Sequence, residues 1–181
     1  SRLLRVHTLD GLCGRATTRL VIGNNNDGKC KWANTSSLES LKVRSLSITR
    51  LANVDQFVFA NMKSVTTLEL INCLQPYSCR QLPPNLHTLA ITFMGCHMNS
   101  QFEWTHIPDM FLRVSENCPF LSVLKLTYET TPLVGTMASI LALPVCASIE
   151  FIELNNISLT PNDLQLFISA CPRVKKIKIM D

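Results

Sequence analysis

A chain of 181 residues, 46% hydrophobic and 17% charged, can bury a sizeable core and is not a disordered acidic or basic tail. The formal net charge of +4 tolerates an anionic partner without calling for nucleic acid. No run of about 18 apolar residues offers a membrane span. The chain begins at Ser1 without a signal peptide, and reads as a single domain over 1–181, a fragment of a longer chain.

Taken from the N-terminus, one pattern recurs: apolar residues at relative positions 1, 4 and 6. A weak first copy has Thr17, Leu20 and Ile22. Leu38, Leu41 and Val43 follow, then Val65, Leu68 and Leu70, then Leu86, Leu89 and Ile91. Leu121, Leu124 and Leu126 come next, then Ile149, Ile152 and Leu154, and Val174, Ile177 and Ile179 close the set. The central residues are 21, 27, 21, 35, 28 and 25 apart. That is the spacing of a leucine-rich repeat, L-x-x-L-x-L-x-x-N/C, whose period runs at about 20–29 residues. The ninth position holds Asn25 and Cys73 in the first and third copies, where a polar side chain can satisfy backbone groups as the chain leaves the strand. Elsewhere it is degenerate: Leu46, Met94, Glu129 and Ile157.

The pattern predicts an α/β fold: a leucine-rich-repeat solenoid of about seven repeats, curved as a horseshoe. A parallel sheet lines its concave side, and helices or turns its convex side. Each strand turns positions 4 and 6 inward, and neighbouring repeats close the core. Between strands, "GNNNDGK" reads as a turn, "QPYSCRQLPPN" as turns or one-turn helices, and "MGCHMNSQFEWTHIPDM" as a projecting loop around 94–110. "HIPDMFLRVSENCP" reads as a helix opening near Pro108 with the stripe Met110, Phe111, Val114, and "TTPLVGTMASILALP" as a second. "LTPNDLQLFISACP" reads as a third, with Thr160 as N-cap, Pro161 at the first position, Asp163 completing a capping box, and the stripe Leu164, Phe167, Ile168, Cys171.

Eight cysteines include no CxxC pair and no zinc-finger spacing. Cys118, Cys146 and Cys171 each stand three residues before the first strand position, which predicts a small hydrophobe filling one recurring slot. Reduced thiols of this kind suit an intracellular protein, cytoplasmic or nuclear. Cys96, His97 and His106 are badly spaced for a tetrahedral metal site, so none is expected.

From these residues a resemblance emerges. "LTPNDLQLFISACPRVKKIKIMD" resembles the cysteine-containing leucine-rich repeat of F-box/LRR proteins, with "IPDMFLRVSENCPFLSVLKLTY" as a looser copy. The likeness covers residues 107–181; over 17–106 only the strand motif is shared, and no stretch looks like an F-box. The resemblance implies a solenoid that recruits proteins, as in the substrate-recruiting part of a ubiquitin-ligase receptor.

In such a fold strand positions 3, 5 and 7 face outward on the concave side. The candidate partner-binding residues are Lys42, Arg44, Glu69, Lys125, Phe151, Glu153, Lys176 and Lys178, with Tyr128 beside them. Their charges divide as five basic against two acidic. No phosphate loop, GxSxG or HExxH is present, and the four histidines show no base–nucleophile arrangement, so neither catalysis nor a cofactor is expected. The expected partner is a protein. An extracellular recognition ectodomain, glycosylated at Asn34 or Asn156, is the alternative, and an RNA-associated adaptor ranks third.

Overall fold

A computed structural model describes residues 19–23, 42–50, 59–73, 82–93, 100–129 and 143–180. These form an α/β unit around one seven-stranded parallel sheet: β1 (Arg19–Gly23), β2 (Ser45–Thr49), β3 (Thr67–Ile71), β4 (Thr88–Phe93), β5 (Val123–Tyr128), β6 (Phe151–Asn155) and β7 (Lys176–Met180). The strands lie in chain order, β1 to β7, each hydrogen-bonded to the next. Two helices are described, α1 (Ser100–Asn117) and α2 (Pro161–Ala170), with a short 3-10 turn at Phe59–Asn61. This sequential sheet with few helices is compatible with a solenoid-like repeat.

Strand register repeats without drift. Leu20, Leu46, Leu68, Leu89, Leu124, Ile152 and Ile177 are successive partners across the sheet, and so are Ile22, Ile48, Leu70, Ile91, Leu126, Leu154 and Ile179. In the first six strands these two rows are at most 3% exposed. Burying one such side chain contributes about 1.5–3 kcal/mol, so the two rows are the main apolar stabilisation of the sheet.

The second repeat sits in a different frame from the expected one. Its strand is β2, so Val43, Leu46 and Ile48 take positions 1, 4 and 6, and Leu46 is inward rather than ninth. Both frames satisfy the apolar pattern. Only one lets β2 pair parallel with both neighbours while placing Leu46 beside Leu20 and Leu68. The first two steps become 26 and 22 residues.

The strands β3 to β7 are entered through the same turn. The amide of position 1 donates to the carbonyl three residues earlier at Val65 and Met62, Leu86 and Pro83, Leu121 and Cys118, Ile149 and Cys146, and Val174 and Cys171. The slot is thus Met62, Pro83 or a cysteine, and Met62 and the three cysteines are all at most 3% exposed. The next carbonyl row runs Arg44, Thr66, His87, Ser122, Glu150, each accepting from two consecutive amides of the following repeat. Three strands end on left-handed residues at position 8: Arg50, Asn72 and Asn156, with φ of 55°, 53° and 54°. Asparagine tolerates this conformation better than most residues. At the same position Phe93 and Tyr128 stay extended, and β4 and β5 are one residue longer.

The helices differ in part from expectation. α1 begins at Ser100, eight residues ahead of Pro108, which lies inside it. Residues 100–110 are therefore helix rather than loop, although Cys96 and His97, and the side chains of 100–107, are outside the described residues. Met110, Phe111 and Val114 are buried as expected. In α2 the capping box forms: Thr160 Oγ1 accepts from the Asp163 amide at 3.2 Å, and the Thr160 amide donates to Asp163 Oδ2 at 2.9 Å. Its buried face is Asp163, Phe167 and Ala170, with Cys171 after it, whereas Ile168 is 41% exposed. Phe111 and Phe167 pack with ring centroids 5.7 Å apart, joining the two helices over the core face of the sheet. The helix expected over 131–142 lies outside the described residues. No described helix is long and apolar enough to cross a membrane.

Candidate binding surface

Strand alternation turns positions 3, 5 and 7 to the opposite face of the sheet, where no described helix packs. Row 5 reads Val21, Ser47, Glu69, Ala90, Lys125, Glu153, Lys178 from β1 to β7. Row 3 ends on Val123, Phe151 and Lys176, and row 7 on Thr127, Asn155 and Met180. Six of the expected site residues (Glu69, Lys125, Phe151, Glu153, Lys176 and Lys178) are therefore gathered on one surface.

Three others are not. Lys42 and Arg44 precede β2 and are exposed at the strand entrance, because the frame of that repeat places Ser45, Ser47 and Thr49 on the face instead. Arg44 serves the sheet through its carbonyl, which accepts from the Thr66 and Thr67 amides at 2.8 and 3.0 Å. Tyr128 is 4% exposed and belongs to the core. Position 8 of a strand that stays extended has the parity of positions 4 and 6, so its side chain turns inward with Leu124 and Leu126.

The charges on the face are organised in two groups. Arg19 reaches past β2 to Glu69 at 3.3 Å, which accounts for Ser47 between them being only 2% exposed. Toward β7, Glu153 lies between two lysines, 3.2 Å from Lys125 and 3.9 Å from Lys178. Burial alone would raise the Glu153 carboxyl, but the hydrogen bond and charge of Lys125, with Lys178 and Asn155, hold it below the usual carboxylate range. Lys176 stands over the Phe151 ring with its ammonium 5.9 Å from the centroid, a cation–π contact. At the strand entrance Glu150 bridges Lys175 at 2.8 Å and Arg173 at 3.3 Å, and the Lys175 bond is the main cause of its lowered pKa.

A polar cluster at the strand exits was not anticipated. The Asn72 side-chain amide donates to Glu129, that of Asn155 to Thr127 Oγ1 at 3.0 Å, and that of Asn156 to the Tyr128 carbonyl at 3.0 Å. The only sequence signal was asparagine at or next to position 8 of the third and sixth repeats. Cys73, at the ninth position, behaves as expected: its thiol donates to the Ile48 carbonyl at 3.4 Å.

The cysteines of the entrance slot are packed into the core. Cys118, Cys146 and Cys171 are buried thiols, and burial pushes each up to about 12, reinforced at Cys146 by its two neighbours. Cys146 donates to the Phe111 carbonyl at 3.3 Å and Cys118 to the Pro83 carbonyl at 3.7 Å. Among the described residues no group of three His, Cys, Asp or Glu side chains gathers to hold a metal.

No protein-family model, no curated protein and no solved structure matches the chain.

Proposed function

We propose that this protein is an interaction module of the leucine-rich-repeat solenoid type, binding a partner protein on the concave sheet face. The observation that carries the reading is the ladder of in-register side chains at positions 3, 5 and 7, which no described helix covers, on a sheet whose other face is buried from β1 to β6. A rigid strand array presenting one row per repeat fixes side-chain positions without an ordering cost at binding, which suits recognition. The likeness of residues 107–181 to F-box/LRR repeats extends the proposal to the substrate-recruiting part of an intracellular ubiquitin-ligase receptor.

The alternatives rest on less. An RNA adaptor needs a continuous basic stripe, yet Lys42 and Arg44 are off the face and Arg19 and Lys125 are paired with carboxylates. A secreted ectodomain would carry glycan on Asn156, whose side-chain nitrogen is committed to the Tyr128 carbonyl. Asn34 lies outside the described residues.

The test is affinity purification of the full-length protein from its own cells beside a variant carrying Thr92→Arg and Lys125→Glu, at the centre of the face. Recovery of a cullin and its adaptor with both baits, and loss of one further protein from the variant alone, supports the receptor reading. A partner set identical for both baits would remove the concave face from consideration.

A further inference from the structure

Lys42 and Arg44 stand at the strand-entrance rim, where they flank Val43 as Arg173 and Lys175 flank Val174. The two valines are position 1 of the second and seventh repeats, so the two basic pairs hold the same places, and both are exposed. What answers their charge differs. Glu150, at position 2 of the preceding repeat, accepts from Arg173 at 3.3 Å and from Lys175 at 2.8 Å. The residue of the first repeat that corresponds to Glu150 is Thr18, which carries no charge, and the repeat after Lys42 and Arg44 brings Ser64 and Thr66. Lys63, just before Ser64, is a third exposed cation. Among the described residues no carboxylate pairs with Lys42, Arg44 or Lys63. β2 lies between β1 and β3, so the group is internal to the array.

The rim beyond these cations is tied repeat to repeat and then turns apolar. Thr66 Oγ1 donates to the Arg44 carbonyl at 3.3 Å, Asn85 Nδ2 to the Lys63 carbonyl at 2.8 Å, and Ser122 Oγ to the His87 carbonyl at 3.3 Å. On the same line Phe120 is 56% exposed, with its ring centroid 6.2 Å from that of His87. An aromatic side chain near unanswered cations is a combination enriched at protein interfaces. A second copy of the chain is a poor source of the missing acid. Glu69, Glu116, Glu129, Glu150, Glu153 and Asp163 are each engaged within the chain. Nucleic acid fits less well than an acidic peptide, because it carries a phosphate at every step. Thr66, Asn85 and Ser122 are neutral, so most of that charge would go unanswered on the way to Phe120.

We propose that the strand-entrance rim from β2 to β5 docks an extended acidic segment of a partner protein, with its carboxylates on Lys42, Arg44 and Lys63 and an apolar residue on Phe120. The acids take the role toward Lys42 and Arg44 that Glu150 takes toward Arg173 and Lys175. Three strand spacings of about 4.8 Å separate β2 from β5, and an extended chain advances about 3.3 Å per residue, so the apolar residue lies about four positions beyond the acids. Charge sets the direction of the segment along the rim, and the apolar contact fixes its register. This site is distinct from the concave face.

The test is fluorescence anisotropy of the full chain with a labelled synthetic peptide containing Glu-Glu-Ser-Ser-Ser-Phe, at about 0.15 M salt, where surface charge is screened as in cells. The peptide with both glutamates changed to lysine should bind about tenfold more weakly, because two surface charge pairs change from attraction to repulsion. The double change Lys42→Glu and Arg44→Glu should invert that preference, and binding of the lysine peptide then shows that the variant is folded. Phe120→Ser, at an exposed position, should weaken the glutamate peptide and leave the salt dependence of its binding unchanged, since the charges are untouched. Thr92→Arg with Lys125→Glu should leave binding as it was. Equal binding of the two peptides, or none, overturns the proposal. So does loss of binding through the Thr92 and Lys125 changes, which would place the peptide on the concave face. An oligouridylate of six nucleotides that binds more tightly than the glutamate peptide, and loses binding with Lys42→Glu and Arg44→Glu, would overturn it in favour of RNA.

Discussion

Cys118, Cys146 and Cys171 show how a residue type that invites redox or metal chemistry is put to a packing use. Each fills the slot where the chain turns into a strand, and Met62 and Pro83 fill it in the repeats before them. With burial pushing the thiols from their ordinary 9.0 up to about 12, almost none is thiolate near neutral pH. Peptide-mapped alkylation with iodoacetamide at mild alkaline pH should leave these three unmodified for as long as the fold persists, and label them fully in denaturant. Rapid native labelling of Cys146 would contradict the burial described. This slot was legible in the sequence because its phase to the strand is constant. Tyr128 was misread for a related reason: the strand motif ends at position 7, and nothing in the sequence says that β5 stays extended for one residue more. Asn72 and Asn156 leave the strand through a left-handed conformation at that position, whereas Tyr128 does not.

At the scale of the element, apolar spacing alone put six strands in the right frame and misplaced β2. Val43 serves as position 6 in one frame and position 1 in the other, so the two overlap. Pairing across the sheet decides between them, and no local signal carries that. α1 was foreshortened because Pro108 reads as a helix start, yet a proline is tolerated further in when packing supports the helix. Met110, Phe111 and Val114, buried against the sheet, provide that support. α2 was placed well by its capping box; Phe167 and Cys171 of its stripe are buried, whereas Ile168 is exposed and Asp163 and Ala170 are buried instead. Thr160→Ala should cost about 1 kcal/mol, the usual loss for an N-cap, measured by urea unfolding. Phe167→Ala should cost about 3–5 kcal/mol, since it empties the contact with Phe111. The reverse order of these two would show that α2 is held by its cap rather than by its packed face.

Among the described residues the strands contact one another in chain order, with Arg19–Glu69 and Asn72–Glu129 each reaching across one repeat, so charge and stability are distributed along one axis. The Lys125–Glu153–Lys178 group ties the last three strands together on the polar face. Glu153 has a folded pKa below its unfolded value, so its contribution is complete above the unfolded range and is lost as the pH falls through the folded value. The stability difference between the native chain and Glu153→Gln should be full above about pH 5.5 and vanish in acid below the ordinary glutamate value near 4.3. A difference that persists unchanged there would assign the effect to packing of the side chain instead of its charge. Distribution along one axis also predicts where the sheet opens. β3, β4 and β5 have a strand on both sides and inward residues at most 3% exposed. Among the described strands β7 has one neighbour, and it holds Ile179 at 46% exposure. Amide exchange followed by mass spectrometry should therefore find protection lowest in 176–180 and highest in the central strands, with β6 intermediate. Uniform protection from β2 to β7 would mean that the sheet unfolds as a single cooperative block, and stability would then have to be assigned to the array rather than to its repeats.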